Sequence, residues 1–466
     1  MLPLKNLSDD PEDAFFAEGV AEEITTAISR IDGLRVISRT SVQPFRDSDL
    51  PVGTIAERLG VDAVLEGSVR RAGGRVRITA QLIDGRRDDH LWGDSYERRL
   101  EDVFAIQSEV ARRIASALET TLSPADERRL DARPTVSIPA YDLYLRGQEL
   151  MERDRVGNET AIELFRESIR LDPDFADAHA GLALAHVHQV ELFGAPRNRS
   201  RVGIETARRA IAIDPERSSG HYALGKNLET LRRLGPAAAA YRRAVELNPS
   251  FADAISALAL VSVWAGDFVT AVRSGEQVLG VTPGDPRPFF VLGFAYYCLD
   301  RPAEAESWYA RALSIWPEFI WAEASLAYFR TVYGRVDEAR ALTDRILERE
   351  PDNWVGLTVS ADTALMAGDT SMARDRLERA FAIDPDGRHT GHLRSVAVAL
   401  GFLLDEAGEK RRGARLLERG VELNQRAIAE GAEFGGIPLD LAAAHSVQGA
   451  NDEAWRWLER SYRMGW

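Results

Sequence analysis

The chain has 466 residues, with 58 Lys and Arg against 73 Asp and Glu for a net charge of −15, and 45% of its residues are hydrophobic. Length and apolar content together allow a large core, set a prior of about three domains and exclude wholesale disorder. One cysteine excludes an internal disulfide framework or a thiolate zinc cluster, and the acidic balance argues against a surface built to coat nucleic acid.

Met1 to Asn6 lacks a basic stretch followed by an apolar core. The longest apolar runs, such as 289–299, reach only about half of the ~20 residues that a membrane span needs. The expected compartment is therefore the cytoplasm, or the periplasm if the chain is a fragment of a membrane-anchored protein.

In chain order, Phe15, Phe16, Val20, Ile24 and Ile28 form a helical stripe, with Asp9 and Asp10 as candidate N-caps. Residues 34–38 alternate like a strand, and 54–60 read as a short helix. Two strands at 61–70 and 75–84 flank Ala72-Gly73-Gly74, a hairpin signal. A further strand at 90–96 and an amphipathic helix at 103–118 complete the order β-α-β-α-β-β-β-α. Residues 1–133 are thus expected to form a small α/β domain, 134–139 (Pro-Thr-Val-Ser-Ile-Pro) a linker, and 140–466 an array of about nine repeats.

The array rests on spacing. Pro215, Pro249, Pro283, Pro317, Pro351 and Pro385 are each 34 residues apart, and Pro173 precedes them. Twelve residues before these prolines stand Ala161, Gly203, Ala237, Ala271, Ala305, Ala339 and Ala373, positions small enough for two helices to cross closely. Leu224-Gly225, Leu258-Ala259, Leu292-Gly293 and Leu326-Ala327 mark an earlier helix in each unit. Each unit reads as a helix, a turn, a second helix and a proline stop.

This pattern resembles the tetratricopeptide repeat, most clearly over 218–385. Runs in the first 133 residues, among them Phe16-Ala17-Glu18-Gly19, Leu59-Gly60-Val61 and 64–70, resemble the TolB-related domain that bacterial proteins place before such repeats. The resemblance implies an α+β chain: a small α/β domain followed by an all-α right-handed solenoid. It also implies a second role, because such segments often form the carboxyl half of adenylate cyclases, protein kinases or winged-helix regulators. The chain would then be their sensory portion, acting in cis or in trans.

No phosphate loop, dinucleotide fingerprint, H-E-x-x-H or G-x-S-x-G occurs, so no enzyme and no cofactor are expected. His179, His186 and His188 align with packing positions, and His389 and His392 read as a surface loop; no metal site is expected. Cys298 reads as a buried or half-buried inert thiol, and Arg70, Arg71, Arg75 and Arg77 either meet an anionic partner or solvate strand ends. In the resembled family the first helix of each repeat lines a concave, protein-binding face. Carried over, the lining is Tyr222, Lys226, Leu260, Trp264, Phe290, Phe294, Tyr297, Trp321 and Tyr328, aromatic in its middle. The favoured partner is an apolar or amphipathic peptide or protein segment, with no direct nucleic-acid contact. The competing reading makes Phe294, Tyr297 and Tyr328 core.

Overall fold

The structure is a computed structural model and describes residues 1–10, 13–31, 33–46, 48–385 and 395–464. Alternating apolar residues build a hairpin whose chain reverses at Gly73 and Gly74, with φ of 56° and 73°. Two successive positive φ values are what a two-residue hairpin turn demands. Strands β1 (Lys5–Asn6), β2 (Ala63–Ala72), β3 (Arg75–Asp84) and β4 (His90–Arg99) form one sheet in that order, β1 parallel to β2 and the rest antiparallel. Val69 opposes Ile78, and Ile78 opposes Tyr96. All three pack with apolar residues of helices Ala14–Ser29 and Val103–Ala117.

Two local expectations change. Residues 34–38 form no strand: the Val36 amide donates to Ser250 Oγ at 3.4 Å and the Ser38 amide to the Val281 carbonyl at 2.7 Å. Their donors are consumed by distant segments of the array, which alternation within the segment cannot reveal. The first helix starts at Ala14 with Asp13 at its N-cap, and no side chain caps it, so neither Asp9 nor Asp10 has that role.

Residues 134–139 do not hang free. The Thr135 hydroxyl donates to Asp172, Ser137 caps helix Ile138–Leu150, and Arg71 of β2 meets Asp142 at 2.8 Å. Tyr141, Tyr144, Leu145 and Phe165 share one apolar cluster with Phe16, Val20 and Val110.

Beyond this point the described residues form helical hairpins, nine in number: Ile138–Leu150 with Arg155–Leu171, Ala176–Glu191 with Arg199–Ile213, Ser218–Thr230 with Leu234–Leu247, Ala252–Trp264 with Phe268–Val281, Arg287–Cys298 with Pro302–Ile315, Ile320–Val332 with Val336–Arg349, Trp354–Met366 with Thr370–Ile383, Val396–Glu406 with Lys410–Ala429, and Gly436–Val447 with Asn451–Arg463. They follow one another in solenoid fashion. A Cβ on Gly225 would come within 2.5 Å of the Tyr241 ring, and one on Gly293 within 2.7 Å of Tyr309. The recurring glycine of the first helix is therefore the seat for a ring of the second. Ala305, Ala339 and Ala373 are fully buried, where only a methyl group fits between helices. Trp316, extended at φ −133° and ψ 95°, ends its helix before Pro317, whose ring disfavours helical backbone in the preceding residue.

The chain divides into two compact units: Met1–Thr230, Pro236–Leu258 and Gln277–Asp285 form the first, and Leu231–Gly235, Ala259–Glu276 and Pro286–Trp466 the second. The α/β layer lies in the first. Among the described residues no helix is long and apolar enough to cross a membrane.

Candidate partner-binding surface

The second unit contains an aromatic recess built by the first helices of three successive hairpins. Phe290, Phe294 and Tyr297 fall at i, i+4 and i+7 on Arg287–Cys298 and therefore share one face. Trp321 and Tyr328 do the same on Ile320–Val332, and Trp354 with Val355 closes the far wall. The recess holds about 70 Å³, and none of its lining side chains carries a charge.

Ring geometry explains the order of this surface. Phe294 and Tyr297 stack at 6.3 Å with planes 13° apart, while Tyr297 meets the edges of Tyr328 and Phe329, both at 6.2 Å. Such offset and edge-on pairs each add about 0.5–1.5 kcal/mol beyond area burial. Burial, reinforced by the neighbouring Tyr328, pushes the Tyr297 hydroxyl well above the usual phenol range, so the floor stays neutral. Trp321 is 42% exposed, whereas Tyr309 beneath it is 1% exposed.

Charges frame the recess from behind. Glu323, buried on the helix that carries Trp321, is held by Arg349 and, at 3.4 Å, by Arg345. At the far end of that helix Arg330 reaches Glu306 at 3.1 Å, and Arg335 bridges Glu306 at 2.8 Å and Glu338 at 2.6 Å. Burial pushes the Glu306 carboxyl up, but the hydrogen bonds from Arg335 and Arg330 outweigh it and hold the group below the usual carboxylate range.

Of the nine side chains expected from the sequence, Phe290, Phe294, Tyr297, Trp321 and Tyr328 thus converge. Leu260 lies outside the recess lining, half-buried against the same apolar cluster that Phe290 and Phe294 border. Trp264 is 8% exposed, with the Arg232 guanidinium 5.3 Å from its ring centre, and it lies outside the recess. Tyr222 and Lys226, in the first unit, are engaged internally. Tyr222 packs between Tyr241 at 5.9 Å and Phe251 at 4.9 Å. Lys226 Nζ lies 3.2 Å from Glu191 and 3.9 Å from Glu229. Burial alone would lower the pKa of Lys226; these two carboxylates outweigh it and raise it. Sequence reasoning missed Trp354, Val355 and Val359. Val355 follows Pro351 by four residues, as Trp321 follows Pro317, and Trp354 and Val359 flank it on the same first helix, in a unit whose Leu-Gly pair has degenerated to Ser360-Ala361.

Residues 144–195 and 218–251 match family models described as tetratricopeptide repeat. These two segments carry tetratricopeptide repeats. A protein of Rhizobium meliloti (strain 1021), provisionally named adenylate cyclase 3, is 38% identical over 240 residues, 51% of this chain and 41% of that protein. The human protein O-mannosyl-transferase TMTC3 is 24% identical over 256 residues, 53% of this chain and 27% of that one. The chain thus matches less than half the length of these curated relatives. Among solved structures, YrrB, a tetratricopeptide repeat protein with an unusual peptide-binding site, is similar at 23% identity and a TM-score of 0.29, covering 39% of this chain and 94% of that one. The APC/C hetero-tetramer Cut9–Hcn1 is similar at 13% identity and a TM-score of 0.44, covering 78% and 63%.

The remaining candidates have structural partners. His179 Nε2 lies 3.1 Å from the Pro173 carbonyl, His186 is buried 3.4 Å from Gln189 Oε1, and His188 lies 3.5 Å from Glu152. Burial lowers the pKa of all three. Among the described residues no three His, Cys, Asp or Glu side chains could hold one metal ion; His389 and His392 lie outside those residues. Cys298 is exposed rather than half-buried, yet the surrounding protein still pushes its thiol up to about 11. Of the hairpin arginines, Arg70 meets Asp9 at 3.7 Å, Arg71 meets Asp142, Arg75 meets Glu97 at 3.2 Å and Arg77 meets Ser95 at 3.2 Å. Internal pairing explains them without an anionic ligand.

Proposed function

We propose that this tetratricopeptide repeat protein is a non-enzymatic interaction scaffold that docks an apolar or amphipathic peptide or protein segment on the recess at Phe290, Phe294, Tyr297, Trp321, Tyr328 and Trp354. The observation that carries this reading is the uncharged aromatic lining, with a tryptophan left 42% exposed at its rim. Rigid aromatic side chains concentrate binding energy because they bury large area at little entropic cost. A displayed random-peptide library panned on the purified chain tests it. Enriched peptides should share large apolar residues and lose affinity for Trp321→Ala. Failure to enrich any sequence, or equal binding to the variant, would refute it.

The 38% identity to the Rhizobium meliloti protein favours a second reading. Here the chain is the regulatory portion of an adenylate cyclase, and its amino-terminal unit is the TolB-related domain that its sequence resembles. An in-frame catalytic domain in the surrounding gene, whose cyclase activity changes when residues 1–466 are deleted, is the expected result. Unchanged activity on deletion would sink this reading.

A further inference from the structure

Helix Ala14–Ser29 faces the sheet on one side and the first repeats on the other. A Cβ on Gly19 would come within 2.5 Å of a Leu145 methyl group, so the helix lies against Ile138–Leu150 as closely as glycine permits. Phe15 carries the Arg146 guanidinium over its ring at 5.0 Å, and Phe16 carries that of Arg71 at 5.1 Å. The segment that follows fastens to Ser250 and Val281 through the Val36 and Ser38 amides.

The polar part of this contact is unbalanced. The helix contributes Glu18, Glu22, Glu23 and Arg30, the following segment Arg39 and Arg46, and the repeats Asp177, Asp214, Asp253 and Arg217. Among the described residues, five of these carboxylates lie beside four guanidinium groups, Asp253 having a further interaction of its own, and the buried hydroxyls of Tyr141 and Tyr144 also face Glu23. Arg129, which donates to the Arg30 carbonyl at 3.5 Å, is matched by Asp126 at 3.4 Å and adds no net charge. Arg39 holds Glu18 at 2.6 Å and Glu22 at 3.2 Å, and Arg46 also holds Glu18. Arg217 holds Asp177 at 2.9 Å, and the Ser219 hydroxyl donates to Asp177 at 2.6 Å. Glu23 is half-buried and, among the described residues, has no hydrogen bond or ion pair. Arg30 Nε, on the same helix face, is buried without a partner.

We propose that this contact is a proton-linked clasp: it stays shut while Glu23 carries a proton and loosens when Glu23 ionises, uncovering the Leu145 surface of the first repeat. A half-buried carboxylate without a partner is costly to ionise beside Asp177 and Glu22. Burial, only partly offset by Arg217 and Arg30, pushes Glu23 up to about 7. The shut form then binds more protons than the released one between the ordinary glutamate range and pH 7. Closure is tightest at the acid end, weakens by up to about tenfold per pH unit as pH rises from the ordinary glutamate range to 7, and levels off above 7, where both forms are ionised.

Hydrogen exchange on the full chain from pH 5.5 to 8.5, corrected for intrinsic rates, tests the clasp. Protection of Ala14–Ser29 and Ile138–Leu150 should fall by up to about tenfold per unit as pH rises toward 7 and level off above it. Trp354–Met366, in the other unit, should hold steady. Glu23→Gln should keep the two clasp helices protected throughout. Asp177→Asn, which removes a neighbouring negative charge and frees Arg217 for Glu23, should move the transition to lower pH. A flat profile in the parent chain, a Glu23→Gln profile that follows the parent, or an Asp177→Asn transition at unchanged or higher pH would overturn the proposal.

Discussion

Trp321→Ala and Tyr309→Ala should fail in different ways, although the two side chains line the same recess. Complete burial of a large apolar side chain stabilises a fold by roughly 1.5–3 kcal/mol, and Trp321 is 42% exposed. Its truncation should therefore cost the folded chain about 1–2 kcal/mol. The exposed remainder is what a bound segment would cover. A tryptophan at the centre of a contact contributes about 2 kcal/mol or more, so affinity should drop roughly 30-fold. Tyr309, 1% exposed and seated against Gly293, should cost about 3–5 kcal/mol in stability when truncated. Fluorescence anisotropy with a library-selected peptide, run beside urea unfolding followed by circular dichroism, reads both quantities. The reasoning is refuted if Trp321→Ala binds as tightly as the parent, or if its loss of affinity merely tracks a loss of helix.

Gly293→Ala should lower the urea midpoint by the equivalent of about 1–3 kcal/mol, since its methyl group would lie 2.7 Å from the Tyr309 ring; an unchanged midpoint would mean that this helix crossing can open. Asn227→Ala should cost about 1–3 kcal/mol, because the buried Asn227 amide donates to the Ala183 carbonyl at 3.0 Å in the preceding repeat as well as to Ala223 at 2.9 Å. Thermal melting checks this, and a melting point equal to the parent's would show that water replaces the bond. With its thiol near 11, Cys298 holds about a thousandth of its sulfur as thiolate at pH 8. Iodoacetamide labelling should therefore be about 100-fold slower than for an ordinary cysteine and still climbing at pH 10, whereas a plateau by pH 9 would contradict it.

The repeats were legible because their signal is local. The 34-residue period, the small residue twelve positions before each proline and the Leu-Gly pair all act within one hairpin, where a methyl group or hydrogen must fit against a ring. Sequence spacing also placed Phe290, Phe294, Tyr297, Trp321 and Tyr328 on first helices, where helical geometry alone puts i, i+4 and i+7 on one face. It could not tell which of the nine candidate side chains are already engaged: Lys226 meets Glu191 from another repeat, and Trp264 meets Arg232 of the preceding hairpin.

Local pattern likewise misread residues 34–38, whose backbone donors go to Ser250 and Val281, more than two hundred positions away. The chain alone therefore determined the hairpin unit and the faces of its helices, since these follow from helical periodicity and from the size of neighbouring side chains. Only tertiary structure decided that helix Ala14–Ser29 closes over the first repeat and that Glu23 is left there without a partner. Both depend on which distant surfaces meet, and the cost of a buried charge is set by that meeting rather than by the residues beside it in the sequence.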